Sequence, residues 1–223
     1  MLRDVNAVLF DFDHTLGVDN KLEFTVLREI AAAFCERGPN DDQIQAVLDR
    51  FRYMPVKLDQ ALGDGLRELG CPPERLAAAI AAFRSRALDL APEYIRPMPG
   101  AAAMLTSLQT RGFGLGILSN GWTELQHRKA ELIGFPGPVL ASEEIGAWKP
   151  DVRAFQIALQ RFSMNAQTTV YVGDNPRVDV VGAKSAELRA VWADLEDTPY
   201  PEGITAPDAT ITALEQLPAL LAT

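Results

Sequence analysis

The sequence predicts an α/β fold, a parallel sheet flanked by helices and interrupted early by an all-helical module. Three observations predict it. The short apolar run AVLF ends abruptly in two aspartates spaced one apart, Asp11 and Asp13. From about Lys21 to Pro92 no strand pattern occurs. After Pro97-Met98-Pro99-Gly100, apolar runs of strand length alternate with helical patterns to the end of the chain. Such alternation implies right-handed crossovers and a parallel sheet. The first strand belongs with this later set, so the helical stretch is an insertion.

AVLF reads as a buried strand from its length and its apolar run. The insertion reads as helices broken at Gly38-Pro39, Met54-Pro55 and Gly70-Cys71-Pro72-Pro73. Asn40 is a candidate N-cap, with Asp41 and Asp42 in a first turn where negative charge suits the helix dipole. Ala77, Ala78, Ala81, Ala82 and Phe83 lie in a strongly helix-forming stretch. A helix from Ala101 to Thr110 then leads into the strand GFGLGILSN. A helix from Thr123 to Ile133, a short strand PVLAS and a helix from Asp151 to Phe162 follow. The strand TTVYVGD, a helix from Pro176 to Ala186 and the strand LRAVWAD come next. A last short strand near DATIT precedes a helix around Leu214 to Leu221.

The 223 residues suffice for one large domain or for a core with a smaller inserted one. A 48% apolar fraction supports a hydrophobic core. The formal net charge of −9, with no basic run, argues against binding to nucleic acid or to an anionic membrane. An acidic protein still binds a phosphate monoester when a cation is present locally. Two cysteines, Cys35 and Cys71, are too few for a disulfide scaffold, so a reducing cytoplasm is expected. Cys35, within AAAFCERG, reads as a small buried hydrophobe. No signal-peptide pattern opens the sequence, and no apolar run reaches the roughly 18 residues of a membrane span.

In open parallel sheets ligands bind at the carboxyl ends of the strands. Polar residues gather at such ends here. The first strand delivers Asp11, Asp13 and Thr15; GILSN delivers Ser119 and Asn120; VYVGDN delivers Asp174, with Asp179 further on; Lys149-Pro150 opens a helix after PVLAS. Taken singly, each reads as a turn, a cap or a solvated lysine. Independent turns have no reason to place complementary polar groups at successive strand ends of one sheet. Asp11, Asp13 and Asp174 together would concentrate negative charge, at a cost of roughly several kcal/mol unless a cation enters. Oxygen ligands of this kind suit Mg²⁺, which readily takes a phosphate oxygen. Beside that metal one carboxylate can attack phosphorus. A second can protonate the leaving oxygen and later activate water. A hydroxyl, an amide and a lysine can stabilise charge on the phosphoryl oxygens.

The ordered set DFDHT, LSN, Lys149-Pro150 and GDNPRVD resembles the four motifs of the haloacid dehalogenase superfamily, in the branch with a helical cap inserted after the first motif. The similarity spans nearly the whole chain, including PMPG and PDATI. It implies a Rossmann-like catalytic core from 1–16 and 97–223 and a helical cap domain from 17–96. Asp11 resembles the nucleophile and Asp13 the general acid/base. Mg²⁺ would be held by the Asp11 carboxylate, the Asp13 backbone carbonyl and Asp174. Ser119, Asn120 and Lys149 would bind the phosphoryl group, with Lys149 also balancing the charge on Asp11. Thr15 and Asn120 would hydrogen-bond around the site. Asp179 would stand behind it, orienting Lys149 or a metal-bound water. His14, where members vary, is expected to play a local role.

By the same resemblance the cap closes over the core and reads the leaving group of a small soluble substrate, hinged at Gly17-Val18 and Pro97-Met98-Pro99-Gly100. Arg52, Tyr53 and Lys57 are candidate contacts, although an ordinary solvated helix end accounts for them as well. The segments LSNGWTELQHRK and SEEIGAWKPD look most like the branch of nucleotide and sugar-phosphate phosphatases. The expected activity is Mg²⁺-dependent hydrolysis of a small phosphorylated metabolite through an aspartyl-phosphate, by a monomer or homodimer. The alternatives are a phosphomutase of the same superfamily, a metal-independent 2-haloacid dehalogenase and a non-catalytic relative. Asp13 argues against the dehalogenase, and Asp11 with Asp174 against the non-catalytic protein.

Overall fold

The computed structural model describes residues 2–51 and 58–221. The break expected at Met54-Pro55 and the candidate contacts Arg52, Tyr53 and Lys57 lie outside the described residues. The chain forms two compact units: one runs up to Val18 and resumes at Arg96, the other is Asp19–Ile95.

In chain order the elements are β1 (Ala7–Phe10), β2 (Gly17–Val18), α1 (Leu22–Phe34), α2 (Asp41–Phe51), α3 (Leu58–Glu68), α4 (Leu76–Tyr94) and β3 (Arg96–Pro97). There follow α5 (Ala101–Thr110), β4 (Gly114–Ser119), α6 (Thr123–Leu132), β5 (Val139–Ala141), α7 (Ser142–Ile145) and α8 (Val152–Arg161). The last are β6 (Thr169–Gly173), α9 (Val181–Ser185), β7 (Arg189–Ala193), β8 (Ala209–Ile211) and α10 (Leu217–Leu220). No described helix is long and apolar enough to cross a membrane.

Six strands form one sheet in the order β5-β4-β1-β6-β7-β8, every neighbouring pair parallel. All four residues of β1 are apolar and buried, as a strand covered on both faces requires. Phe10 stands opposite Ile117 of β4 and Val172 of β6. This register brings the residues just beyond the three strands to one edge of the sheet. The Asp11 N–H continues the ladder by one bond, donating to the Val172 carbonyl at 2.9 Å. Below that edge the core includes Leu9, Leu118, Phe155, Tyr171 and Trp192, with the Phe155 and Tyr171 rings packed edge to face at 5.0 Å.

The helical unit contains no strand among its described residues. α1 packs on α4, burying Leu22, Val26, Leu27, Ile30 and Ala31 at helical spacing on one side. Asn40 caps α2 as its position predicts: its Oδ1 accepts from the Gln43 N–H at 2.9 Å, and Gln43 Oε1 accepts from the Asn40 N–H at 3.0 Å. Cys35 and Cys71 are both buried and free.

Three expectations need adjustment. Gly17, Val18 and Arg96, assigned to the insertion, group with the sheet unit, because β2 and β3 pair as a two-stranded antiparallel ladder. The helix expected over Pro176 to Ala186 opens as a π-turn at Pro176–Val180 before α9, since the Val181 N–H bonds back to the Pro176 carbonyl. The terminal helix is a 3₁₀ turn at Leu214–Gln216 followed by α10. Pro218 has no N–H to return to Leu214, so one continuous α-helix is not available there.

Candidate active site

Lys149 is the hub of the sheet's carboxyl edge. It is 1% exposed, and its ammonium carries three donors. They go to Asp11 Oδ1 at 2.7 Å, Asp179 Oδ1 at 2.7 Å and the Tyr171 hydroxyl at 2.8 Å. Tyr171 donates in turn to the Leu118 carbonyl at 2.9 Å. Burial works against the charge on Lys149, but Asp11 and Asp179 outweigh it and hold its pKa above the usual lysine value. A cis peptide joins Lys149 to Pro150.

Asn120, expected to hydrogen-bond around the site and at the phosphoryl group, grips the Lys149 backbone. Its Oδ1 accepts from the Lys149 N–H at 2.9 Å and its Nδ2 donates to the Lys149 carbonyl at 3.0 Å. One N–H of the amide stays available beyond this pair. Ser119, at the end of β4, is buried beside it in sequence.

Asp179, expected behind the site, lies within the π-turn and accepts from Lys149 Nζ at 2.7 Å. The Asn175 side chain accepts from the Arg177 and Val178 N–H groups, and the Asn175 N–H donates to Asp179 Oδ2 at 3.0 Å. Gly173 leaves the space it needs, for a Cβ there would lie 2.4 Å from the Asp179 carboxyl carbon. The backbone of Asp174 is held by Trp192, whose Nε1 donates to the Asp174 carbonyl at 2.8 Å.

Asp11, Asp174 and Asp179 offer carboxylate oxygens that all lie within 4.8 Å of one another. Burial raises the pKa of Asp11 to about 6, and Asp179 and Asp13 push the same way, against Lys149. Asp174 is driven well above the carboxylate range by burial, then by Asp179 and Asp11. Fully ionised, the three acids would carry more negative charge than one ammonium balances. An all-oxygen, anionic donor set of this kind fits a hard divalent cation such as Mg²⁺. The expected ligand set was Asp11, the Asp13 carbonyl and Asp174; the cluster brings Asp179 close as well.

Asp13 sits apart from that cluster and has its own partners. Lys129 Nζ donates to its Oδ1 at 2.7 Å, and Gln126 Nε2 to its Oδ2 at 3.1 Å. Burial opposes ionisation of Asp13, but the Lys129 charge and these two bonds prevail and hold its pKa below the ordinary value. Neither Gln126 nor Lys129 was anticipated. The available signal was two polar residues on the inward stripe of α6, where Leu125, Gln126, Lys129 and Ala130 are buried.

The Thr15 hydroxyl is buried without a hydrogen-bond partner among the described residues. His14, expected to act locally, takes a left-handed φ of 59° and reaches Glu196 in the segment after β7, Nδ1 to Oε1 3.0 Å.

The model of the haloacid dehalogenase-like hydrolases matches residues 5–187. The chain belongs to that family.

Among its relatives, a phosphoserine phosphatase of Thermus thermophilus is 38% identical over 141 residues, 61% of this chain and 54% of that protein. The chain thus spans about half the length of that relative. A glyceraldehyde 3-phosphate phosphatase of Methanopyrus kandleri is 32% identical over 200 residues, 84% of this chain and 83% of the relative. The HAD-hydrolase YfnB of Bacillus subtilis, solved bound to magnesium, superposes with a TM-score of 0.75 at 22% identity, covering 98% of this chain and 99% of that one. This last likeness confirms the α/β fold. Family and phosphatase relatives agree with the enzyme class expected from the motifs.

Proposed function

We propose that this haloacid dehalogenase-like hydrolase is a Mg²⁺-dependent phosphatase acting on a small phosphorylated metabolite of the nucleotide or sugar-phosphate class. One observation carries the reading. Two carboxylates separated by one residue have separate cations: Lys149 holds Asp11, and Lys129 holds Asp13. Environments that push two acids apart mark two chemical roles.

Asp11 is the nucleophile. Its carboxylate oxygen bonds to phosphorus as the ester P–O bond breaks. Asp13 gives the leaving oxygen a proton, releasing an alcohol, and later takes one from the water that cleaves the aspartyl-phosphate. Asp13 rests as a carboxylate, and the negative charge of an incoming phosphate favours its protonation. Ser119, Lys149 and the remaining N–H of Asn120 bind the phosphoryl oxygens. Asp11, Asp174 and the Asp13 carbonyl would hold Mg²⁺, which neutralises charge on the phosphoryl group when bound. Asp179 keeps Lys149 aimed at Asp11.

The test is hydrolysis of an aryl phosphate with and without Mg²⁺ by the wild type and Asp11→Asn. Loss of turnover in the variant and after chelation is expected. Full Mg²⁺-dependent activity in Asp11→Asn would remove the nucleophile assigned here, and turnover indifferent to chelation would remove Mg²⁺ from the reading. A panel of phosphorylated metabolites then finds the substrate. Activity that requires a bisphosphate activator would identify a phosphomutase.

A further inference from the structure

Lys129 is a buried cation on a helix that carries no residue of the four motifs. It is 1% exposed, on the inward stripe of α6, and its Nζ lies 2.7 Å from Asp13 Oδ1 and 6.0 Å from the centre of the Phe12 ring. Gln126, one turn earlier on the same face, is 3% exposed and takes the other oxygen of Asp13 at 3.1 Å. A lysine withdrawn from water is costly unless paired, and its partner here is a residue of the reaction. Gln126 Nε2 also lies 3.3 Å from the Asn120 carbonyl. Gly121 makes room for this, since a Cβ there would fall 2.2 Å from Gln126 Nε2.

We infer that Lys129 and Gln126 are positioning residues that clamp the two oxygens of Asp13, fixing the direction from which it delivers its proton to the leaving group. An aspartate carboxylate turns about a broad terminal torsion. Proton transfer needs heavy atoms within about 2.6–3.2 Å of each other, so a freely turning acid is a poor one. Donors on both oxygens, from one helix, remove that freedom. The helix also follows directly on the Ser119-Asn120 loop. Hydrogen bonds therefore run without a break from Asp13 through Gln126, Asn120 and Lys149 to Asp11. The acid and the nucleophile are set by one connected frame.

The inference rests on the phosphatase reading, and its test separates the two. The wild type, Lys129→Met, Lys129→Arg and Gln126→Leu are assayed with Mg²⁺ on a nitrophenyl phosphate and on a simple alkyl phosphate. The aryl leaving group departs with little help, whereas the alkyl one needs the acid. In Lys129→Met, kcat/KM should fall on the order of 100-fold for the alkyl ester and less than about 5-fold for the aryl ester. Gln126→Leu should show the same split at about 10-fold, which keeps the test open if Lys129→Met fails to fold, and Lys129→Arg should recover part of the loss. Equal losses on both esters, or none, would overturn the clamp and leave Lys129 a structural ion pair. Wild-type protein that hydrolyses neither ester would overturn the phosphatase reading, and the clamp with it.

Discussion

Lys149 Nζ stands 2.7 Å from Asp11 and 2.7 Å from Asp179, so one ammonium keeps two buried carboxylates in place. Remove it and the two acids face each other unscreened. Lys149→Met should destabilise the protein by about 3–5 kcal/mol, the usual cost of leaving a buried charge unpartnered. Activity should fall with it. Denaturant unfolding checks the first part; an unchanged midpoint would show that the pair adds nothing to the fold.

If Asp11 holds Mg²⁺ as proposed, its pKa, raised to about 6, would make that binding depend on pH. Below about 6 the carboxyl is protonated and a cation must displace that proton; above it the ligand is ready. Mg²⁺ affinity should climb through pH 5 to 7 and then level off, with proton release on binding at the low end. The sign for folding is opposite. A carboxyl whose folded pKa exceeds its unfolded value of 3.8 costs the metal-free protein stability as pH rises from there to about 6. Calorimetric titrations at several pH values test the first; metal-free melting curves over the same range test the second. A flat affinity profile would place the Asp11 titration elsewhere.

The metal-free fold resists ionisation of Asp174, through burial and the charges of Asp179 and Asp11. Asp174→Asn should therefore leave the metal-free melting temperature unchanged or higher, while the stabilisation gained on adding Mg²⁺ disappears. Melting with and without Mg²⁺ measures both effects. A variant still stabilised by Mg²⁺ would remove Asp174 from the ligand set.

Gly173 is a strand residue with no room for a side chain. A methyl group would sit 2.4 Å from the Asp179 carboxyl carbon and force that acid off Lys149. Gly173→Ala should cost about 1–3 kcal/mol and most of the activity. A drop in denaturant midpoint with an unchanged slope would show local overpacking; wild-type stability would mean the π-turn yields freely.

The sheet was legible because its strands announce their ends. AVLF stops at Asp11, GILS at Asn120 and VYVG at Asp174, and an apolar strand cannot carry such residues into a core covered on both faces. Asp179 was visible as a further acid beyond Asp174, and its expected place behind the site came from the resemblance. Asn120 is visible as a polar residue at a strand end, but whether its amide faces a ligand, a neighbouring backbone or both depends on the segment packed beside it. The partner of Lys129 and Gln126 was hidden for a related reason. Their partner lies 116 and 113 residues away in sequence, and a lysine on an inward helical stripe reads like one in water until the facing strand is known. The π-turn is equally unreadable, since PRVDV fits an ordinary helix start and only the backbone shows the longer loop.

The small β2–β3 ladder places the two points where the chain leaves and re-enters the sheet unit side by side, Gly17 against Pro97 and Val18 against Arg96. Neighbouring strands stand about 5 Å apart, a gap that a two-residue turn can close. Seen from the sheet, everything between Asp19 and Ile95 is a single long hairpin loop, whatever its length or content. The ladder acts as a socket. The chain thus leaves and re-enters the sheet unit through one paired ladder, so the length of what lies between is not set by the strand register on either side.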